Sequence, residues 1–276
     1  MQFQNKRKPQ RLEKKLWQEH VWERQTIKQL TKRYSKGKDW VRKNIDAATV
    51  RNRMVVEPQP VVCVFDATKI YGELLLAARA PRLGSNLGWA WIPSETKRAY
   101  AGLRRFVEEK GFTITAVVLD GRTGIPSVFS DMPVQICQFH QLQIVRRTLT
   151  LRPETEAGKD LLRMVFTLAK STEKEFTHLL QEWFAHHETF INEKTHIAGS
   201  KRWHYTHTRA RSVYRSLLKN LPYLFTYQKH PLLCIPNTTN SLDGFWSRLK
   251  NLLSAHRGKT NDRVKKIVTE ILRKDR

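Results

Sequence analysis

Two short apolar runs, Val61-Val-Cys-Val-Phe65 and Ile114-Thr-Ala-Val-Val-Leu119, decide the fold, and each leads directly into an acid, Asp66 or Asp120. Runs of this length and composition are typical of strands that are buried on both faces of a sheet. A lone carboxylate beside an apolar core is unfavourable unless it is paired or binds a cation. The two runs therefore predict an α/β domain with a carboxylate site at one edge of its sheet.

The chain around these runs predicts the rest of the sheet and the helices that flank it. Before Asp120 we expect strands over 71–80 and 87–92, a turn at 82–86, and a helix over 95–110 capped by Ser94. After Asp120 we expect a short strand over 134–137 and helices over 141–149, 154–170, 173–194, 203–218 and 237–253. Because crossover connections are right-handed, the first and fourth strands should be adjacent and parallel, with Asp66 beside Asp120. The alternative is that each Asp only caps the turn that follows it.

The charge of the chain predicts a polyanionic partner. There are 50 Lys and Arg against 25 Asp and Glu, a net charge of +25. Nucleic acid is the leading candidate, and a ribosomal-type basic surface is the alternative. No apolar run approaches the ~18 residues that span a bilayer, and no apolar signal region opens the chain. We expect a cytoplasmic, nucleoid-associated protein with no membrane contact.

Three cysteines occur, Cys63, Cys137 and Cys234, and their spacing fits a reducing compartment without a disulfide framework. No Cys-x-x-Cys pair is present, which argues against a zinc finger in this chain.

The first 57 residues predict a separate DNA-binding domain. They carry 16 Lys or Arg against 6 Asp or Glu, and the extended linker Glu57-Pro-Gln-Pro60 follows them. Their apolar spacing predicts two helices, a turn at Gly37 and a third helix over 38–47, the order of a helix-turn-helix. The third helix should turn Trp40, Val41 and Ile45 inward and present Lys38, Arg42 and Lys43 to DNA. An ordinary solvated three-helix cap is the alternative.

A site that holds two metal ions usually has a third carboxylate, and Asp243 is the best candidate for it. It lies in Asn237-Thr-Thr-Asn-Ser-Leu-Asp-Gly-Phe-Trp-Ser-Arg-Leu-Lys250, where Arg248 and Lys250 could contact phosphate. Oxygen ligands of this kind suit magnesium or manganese. The rival third ligands are Glu182, Glu188 and Glu193, although their segments resemble charged helix faces.

Two basic regions in the second half of the chain are less specific. Single-strand contacts or a buried aromatic seam would explain the set Trp203, His204, Tyr205, His207, Arg209 and Arg211. The last 33 residues hold ten Lys or Arg against three acids, which predicts a tail that follows a DNA backbone or a solvated helix. The second domain is expected over 58–276, including this basic tail.

Four motifs carry a family resemblance: Val-Phe-Asp66, Val-Leu-Asp120-Gly, Cys137-Gln-Phe-His140 and Asn237-Thr-Thr-Asn-Ser-Leu-Asp243. In this order, over roughly residues 20–260, they closely resemble the DDE transposases of bacterial insertion sequences in the Mutator-like group. The resemblance implies an RNase H-like mixed sheet flanked by helices, with an all-helical insertion at about 150–232. It also implies that Asp66, Asp120 and Asp243 are the catalytic residues and bind two Mg²⁺ (or Mn²⁺) ions, with Cys137 and His140 beside them.

The implied activity is transposition, with metal-dependent cleavage at the terminal repeats of an insertion sequence followed by strand transfer into target DNA. Two metal ions suit such in-line phosphoryl displacement. The implied partners are double-stranded DNA of the element ends and of the target, and at least a second copy of this chain. A zinc half-site at Cys137 and His140 is an alternative, but a closed zinc site takes four ligands; otherwise His140 packs or hydrogen-bonds near the acids.

Two departures from the family pattern motivate a rival hypothesis. The third acid is most often Glu in the family, whereas position 243 is Asp, and the Cys-rich segment that precedes the helix-turn-helix in some relatives is absent from this sequence. The rival is a catalytically impaired or truncated copy that acts only as a DNA-binding protein or repressor. A structure-specific nuclease of the same fold is a third hypothesis, disfavoured by the helix-turn-helix.

Overall fold

A computed structural model of the protein describes residues 8–49, 56–254 and 260–274. Positions 1–7 and 50–55 of the predicted N-terminal domain lie outside the described residues, as do positions 255–259 and 275–276 of the predicted tail. The helices are α1 Lys8–Val21, α2 Ile27–Tyr34, α3 Lys38–Ala47, α4 Lys97–Glu109, α5 Gln138–Leu149, α6 Glu156–Phe166, α7 Glu173–Asn192, α8 Thr208–Leu224, α9 Thr226–Lys229, α10 Asn240–Ser254 and α11 Asn261–Lys274. The strands are β1 Pro60–Ile70, β2 Glu73–Ala80, β3 Ser85–Ile92, β4 Thr113–Leu119, β5 Val134–Ile136, β6 Lys194–His196 and β7 Trp203–Tyr205.

The centre of the molecule is a mixed five-stranded sheet with the order β3-β2-β1-β4-β5. Strands β1, β2 and β3 form an antiparallel meander, whereas β1 pairs with β4, and β4 with β5, in parallel. The predicted α/β class, with a mixed sheet flanked by helices, is confirmed. The expected adjacency of the first and fourth strands is also observed.

The two faces of the sheet are covered by different helices, because successive side chains of a strand point to opposite faces. On one face Cys63 and Phe65 pack in the apolar cluster that contains Tyr100 and Leu103 of α4. On the other face Val64 belongs to the cluster that contains Trp246 of α10. Asp66 is two residues beyond Val64 in the same strand, so it faces α10.

A third apolar cluster holds the segment between β5 and α10 together. It is built mainly from α5, α6, α7 and α8, and it includes Trp183 and Phe225. The predicted all-helical insertion is wrong in one respect, because β6 and β7 form an antiparallel hairpin within it. Trp203, predicted to begin a helix, lies in β7, and the helix begins at Thr208 instead.

Three other predicted boundaries differ from the structure. Strand β1 does not stop before Asp66 but continues to Ile70, because residues 64–70 all pair with β2. Helix α4 is capped by Thr96, whose side chain accepts a hydrogen bond from the amide of Ala99, and not by Ser94. Helix α5 starts three residues early, with Cys137 as its N-cap.

The N-terminal helices pack against the C-terminal helix. Core residues of α1, α2 and α3 share one apolar cluster with the sheet, α10 and α11. Arg263 of α11 donates two hydrogen bonds to the Asp46 carboxylate at 2.8 and 2.7 Å, and Lys266 donates to the Asp46 carbonyl at 2.6 Å. The stretch predicted as a basic tail therefore contains a helix with a buried face, which anchors α3.

No helix in the described parts of the chain has the length and apolar character needed to cross a membrane.

Candidate active site

Two of the predicted site acids lie on neighbouring parallel strands. Val64 of β1 is paired with Val118 of β4, and Asp66 and Asp120 each follow two residues later. Their backbones therefore run side by side at one end of the sheet. Asp66 is still inside its strand, opposite Ala77 of β2, whereas Asp120 begins the loop after β4.

The Asp66 carboxyl is held in an apolar setting with one strong donor. Its side chain is 8% exposed, and the indole nitrogen of Trp246 donates to Oδ2 at 2.7 Å. Burial raises the pKa of Asp66 to about 7, since a buried carboxylate loses its hydration. The Trp246 bond lowers the pKa, while the charges of Asp243 and Asp120 raise it and that of His140 lowers it. Trp246 lies one helical turn beyond Asp243 on α10, so its bond to Asp66 brings the start of that helix beside the acids of the sheet.

Asp120 is held by the turn that it starts. Its Oδ1 accepts a hydrogen bond from the backbone amide of Arg122 at 2.9 Å, and the intervening Gly121 has a φ of +87°. This is the turn-capping role considered as the alternative to a metal site. The second carboxylate oxygen is not used by that cap, so the two roles are compatible.

Asp243 lies in the first turn of α10, where a negative charge is favoured by the helix dipole. The hydroxyl of the buried Thr239 donates to Asp243 Oδ2 at 2.9 Å. The Thr239 carbonyl accepts the amide of Asp243 at 3.1 Å, which closes the start of the helix. Thr239 thus fixes both the backbone and the side chain of Asp243.

Cys137 and His140 meet the same threonine from the other side. The Cys137 sulfur lies 3.3 Å from the Thr239 amide and 3.4 Å from its hydroxyl, and His140 Nδ1 lies 3.3 Å from that hydroxyl. A hydroxyl has one proton, and Asp243 is its shortest acceptor, so His140 can donate its own Nδ1–H to Thr239. The motif therefore positions the threonine that positions Asp243.

Cys137 and His140 also polarise each other. The hydrogen bond with Cys137, together with the charges of that thiolate, Asp66 and Asp243, raises the pKa of His140 to about 9. Burial alone would raise the pKa of Cys137, but hydrogen bonds from His140 and Thr239 outweigh it, and the pKa is lowered. These contacts favour the protonated form of the His140 imidazole beside the site acids.

The donor chemistry suits a hard cation, but the side chains do not form a closed cluster. The three acids offer only oxygen ligands, the type that magnesium and manganese prefer. Within the part of the chain that the structure describes, however, no three His, Cys, Asp or Glu side chains are close enough together to hold one ion. Binding an ion would require the carboxylates to turn toward each other. Among the described residues, Cys137 and His140 likewise have no further ligands that would complete a four-ligand zinc site.

A fourth acid, Glu95, lies near Asp120 and was not predicted. Arg122 pairs with Glu95 Oε1 at 2.9 Å, and the hydroxyl of Tyr100 donates to Oε2 at 3.2 Å. Burial and then the charges of Asp120, Glu95 and Asp66 raise the pKa of Tyr100. In the sequence Glu95 resembles an ordinary first-turn acid of α4, so nothing marked it as a neighbour of the site.

The rival third acids lie on exposed surfaces. Glu182 and Glu188 are on exposed positions of α7, and Glu182 pairs with His178 at 3.2 Å. Glu193, at the end of α7, pairs with His207 at 2.8 Å. These contacts are those of charged helix faces, as the sequence suggested.

The predicted DNA-contacting residues are all on exposed faces. Lys38, Arg42 and Lys43 are exposed on α3, whose Val41 and Ile45 are buried as expected. Arg248 and Lys250 are exposed on α10. The aromatic stretch forms no buried seam: Trp203 is exposed, Lys194 lies 4.1 Å from its ring centroid, and Arg211 lies 3.5 Å from that of Tyr205.

No family model matches the chain, and no curated protein matches it.

Proposed function

We propose that this protein is a DDE-type DNA transposase of the Mutator-like group of bacterial insertion sequences. In this proposal its sheet is an RNase H-like core, and α1–α3 form the helix-turn-helix that binds the terminal repeats. The strand order β3-β2-β1-β4-β5, with β1 and β4 parallel, is compatible with such a core. The net charge of +25 supports a polyanionic partner.

The observation that carries the proposal is the placement of the three acids. Asp66 and Asp120 follow paired residues of parallel strands, and Asp243 lies one helical turn before Trp246, whose indole bonds to Asp66. These acids are far apart in sequence and come from three different elements. Packing alone gives no reason to gather three like charges beside a sheet, because each raises the cost of the others.

In the proposed site Asp66, Asp120 and Asp243 would hold the divalent cations. When bound, Mg²⁺ or Mn²⁺ would activate the attacking oxygen and stabilise the leaving one in a phosphodiester displacement. The residues around the acids set their orientation: Trp246 fixes one oxygen of Asp66, and Thr239 fixes one oxygen of Asp243. His140, with its raised pKa, keeps a proton on the imidazole beside Thr239 and adds positive charge where a phosphate would approach.

The N-terminal helices are suited to reading duplex DNA. Helices α2 and α3 are separated by a tight turn, in which Ser35 has a φ of +51°, and α3 presents a basic, exposed face. We propose that this face enters the major groove through Lys38, Arg42 and Lys43. Synapsis of two element ends would require at least a dimer on DNA.

One observation favours the rival function of DNA binding without cleavage. The described residues provide no preformed three-ligand cluster, and Asp243 is already engaged by Thr239. Aspartate is also one methylene shorter than the glutamate usual at this position of the family that the sequence resembles.

Cleavage of a labelled duplex that carries the element's terminal repeat tests the proposal. Wild type, Asp66→Asn, Asp120→Asn, Asp243→Asn and Asp243→Glu are compared in magnesium, in manganese and in EDTA. We expect metal-dependent nicking by wild type, none by the three Asn variants, and equal DNA binding by all. Tight binding by wild type without nicking in either metal would favour the repressor, and nicking by all three Asn variants would refute the triad.

A further inference from the structure

A groove of about 830 Å³ opens beside Asp120, outside the triad itself. It is lined by the loop Asp120–Thr123 after β4, by the middle of α8 and by Ile144 of α5. The lining residues on α8 are Ser212, Arg215, Ser216, Leu218, Lys219 and Asn220. We call this feature the α8 groove.

The α8 groove is positively charged. Arg122, Arg215 and Lys219 line it, and Asp120 is the one acid among its lining residues. Lys219 donates to a neutral partner, the Thr123 hydroxyl, at 2.9 Å, and no ion pair to Arg215 is found within the described ranges. Two of the three cations therefore lack a neutralising carboxylate.

The positions of the cations favour an extended anion over a single small one. Arg215 and Lys219 are one helical turn apart on α8, about 5–6 Å between their Cβ atoms. Arg122 contributes its charge from the loop after β4. Cations on successive turns of one helix match successive phosphates of a strand.

The groove also has an apolar surface. Leu218 is 44% exposed although it is a large hydrophobic residue on a helix, and the half-buried Ile144 also lines the groove. Sugars and bases of an unpaired strand present apolar faces of this kind between their phosphates. Cations next to an exposed leucine suit a nucleic acid strand better than a purely ionic ligand.

We propose that the α8 groove holds a single DNA strand next to the phosphate that is cut at Asp120, with flanking phosphates on Arg215 and Lys219. This inference rests on the proposed function and deepens it, because it assigns to the helical insertion the task of guiding the substrate strand into the site. Arg122, whose amide also caps Asp120, links the groove to the acids.

Salt-dependent binding of a fluorescein-labelled oligodeoxythymidine to the full-length chain in EDTA tests the groove without any chemistry. For single strands, each phosphate contact contributes about 0.7 to the slope of log affinity against log salt. The double variant Arg215→Ala/Lys219→Ala should therefore lower the slope by about 1.4. Its deficit relative to wild type should shrink about sevenfold between about 50 and 200 mM salt.

Two controls accompany the double variant. Lys174→Ala removes an exposed cation of α7 that is not among the groove-lining residues, and should leave the slope unchanged. Arg215→Lys/Lys219→Arg keeps both charges and should retain the wild-type slope. Thermal melting of each variant checks that it is folded.

An unchanged slope in the double variant, or an equal loss in Lys174→Ala, overturns the groove. Because the assay contains no metal, this outcome is independent of the triad. If wild type nicks DNA but the double variant has the wild-type slope, the proposed function stands and the groove is refuted. If the double variant lowers the slope but wild type never nicks DNA, strand binding by the groove stands and the enzymatic function is refuted.

Discussion

A single indole determines the setting of Asp66, the most buried of the three candidate site acids. Asp66 faces the apolar side of the sheet that α10 covers, and Trp246 supplies a hydrogen bond there at 2.7 Å. Without that donor, a buried carboxyl group keeps its desolvation cost and loses its compensation. Trp246 is therefore expected to act both as packing and as a polar partner.

Replacing Trp246 with Phe should lower the free energy of unfolding by about 2 kcal/mol, because the ring remains apolar and the donor is lost. Chemical denaturation measures the change. In an Asp66→Ala background the same replacement should cost about 1–2 kcal/mol less, since the acceptor is already gone. Equal costs in both backgrounds would show that the hydrogen bond contributes nothing.

Among individual residues, the sequence singles out the candidate site acids but not the side chains that contact them. Asp66 and Asp120 stand out because each directly follows an apolar run. The helical spacing of Trp246 in the sequence is that of an ordinary packing residue, and nothing local indicates that its nitrogen meets an oxygen 180 positions away. Glu95 was missed for the same reason, since its relation to Arg122 exists only once the loop after β4 has folded.

Among the elements, the turn after β4 has a conformation that requires glycine. Gly121 has a φ of +87°, and a Cβ there would lie 3.0 Å from Ile136 Cγ2 on the neighbouring strand. Gly72, in the β1–β2 turn, has a similar φ of +89° but open space around it. A side chain at position 72 would meet backbone strain alone, whereas one at position 121 would meet both backbone strain and a steric conflict.

Gly72→Ala should cost about 1–2 kcal/mol of stability, the usual penalty for a left-handed backbone with a Cβ. Gly121→Ala should cost about 1 kcal/mol more, because the methyl group also displaces Ile136. Urea denaturation of the two variants gives the comparison. If both lose the same stability, the contact with Ile136 is relieved without cost.

The link between α3 and α11 is a second feature of this scale. Arg263 is 6% exposed and donates both of its bonds to Asp46, which is half exposed. The hydrogen bond from Arg263 lowers the pKa of Asp46 below its ordinary value of 3.8. A lowered acid pKa stabilises the fold above the ordinary value, and this contribution is lost as the pH falls through the lowered pKa.

Asp46→Asn should therefore reduce stability by about 1 kcal/mol at neutral pH, and the difference should shrink as the pH falls below 3.8. Asp39→Asn on the same helix is the matched control, because its pair with Arg42 is exposed and should contribute little. Denaturation curves at several pH values provide the test. A difference that persists at low pH would rule out the ion pair as its cause.

Element types were predicted better than element ends. The residues after Asp66 alternate too weakly to predict a strand, yet β2 continues to pair with them up to Ile70. The sequence predicts a helix from Trp203, but Trp203–Tyr205 pairs with Lys194–His196, a contact that no local pattern indicates. In both cases the partner strand, and not the segment itself, determines the structure.

For the molecule as a whole, the order of elements predicted the topology, but the apolar pattern did not reveal how the N-terminal helices are attached. The extended Glu57–Pro60 linker and the charge contrast suggested an independent module. In the structure Leu30 and Ile45 belong to the same buried cluster as Val268 of α11 and Val64 of β1. Helix α11 belongs to the same apolar cluster as the N-terminal helices and the sheet, and so it joins the two.

This arrangement predicts that α11 is needed for the N-terminal helices to remain folded. A chain ending at Ser254 lacks Val268, Arg263 and Lys266, which contribute the buried side chain and the polar contacts to α3. Loss of several buried side chains costs about 2–5 kcal/mol each, more than a small helical unit can spare.

Hydrogen exchange should show fast exchange of the Leu30 and Ile45 amides in the truncated chain while β1 and β4 stay more protected. Protection of Leu30 and Ile45 equal to that in the full chain would mean that α1–α3 fold on their own, and that α11 only rests against an autonomous DNA-binding domain.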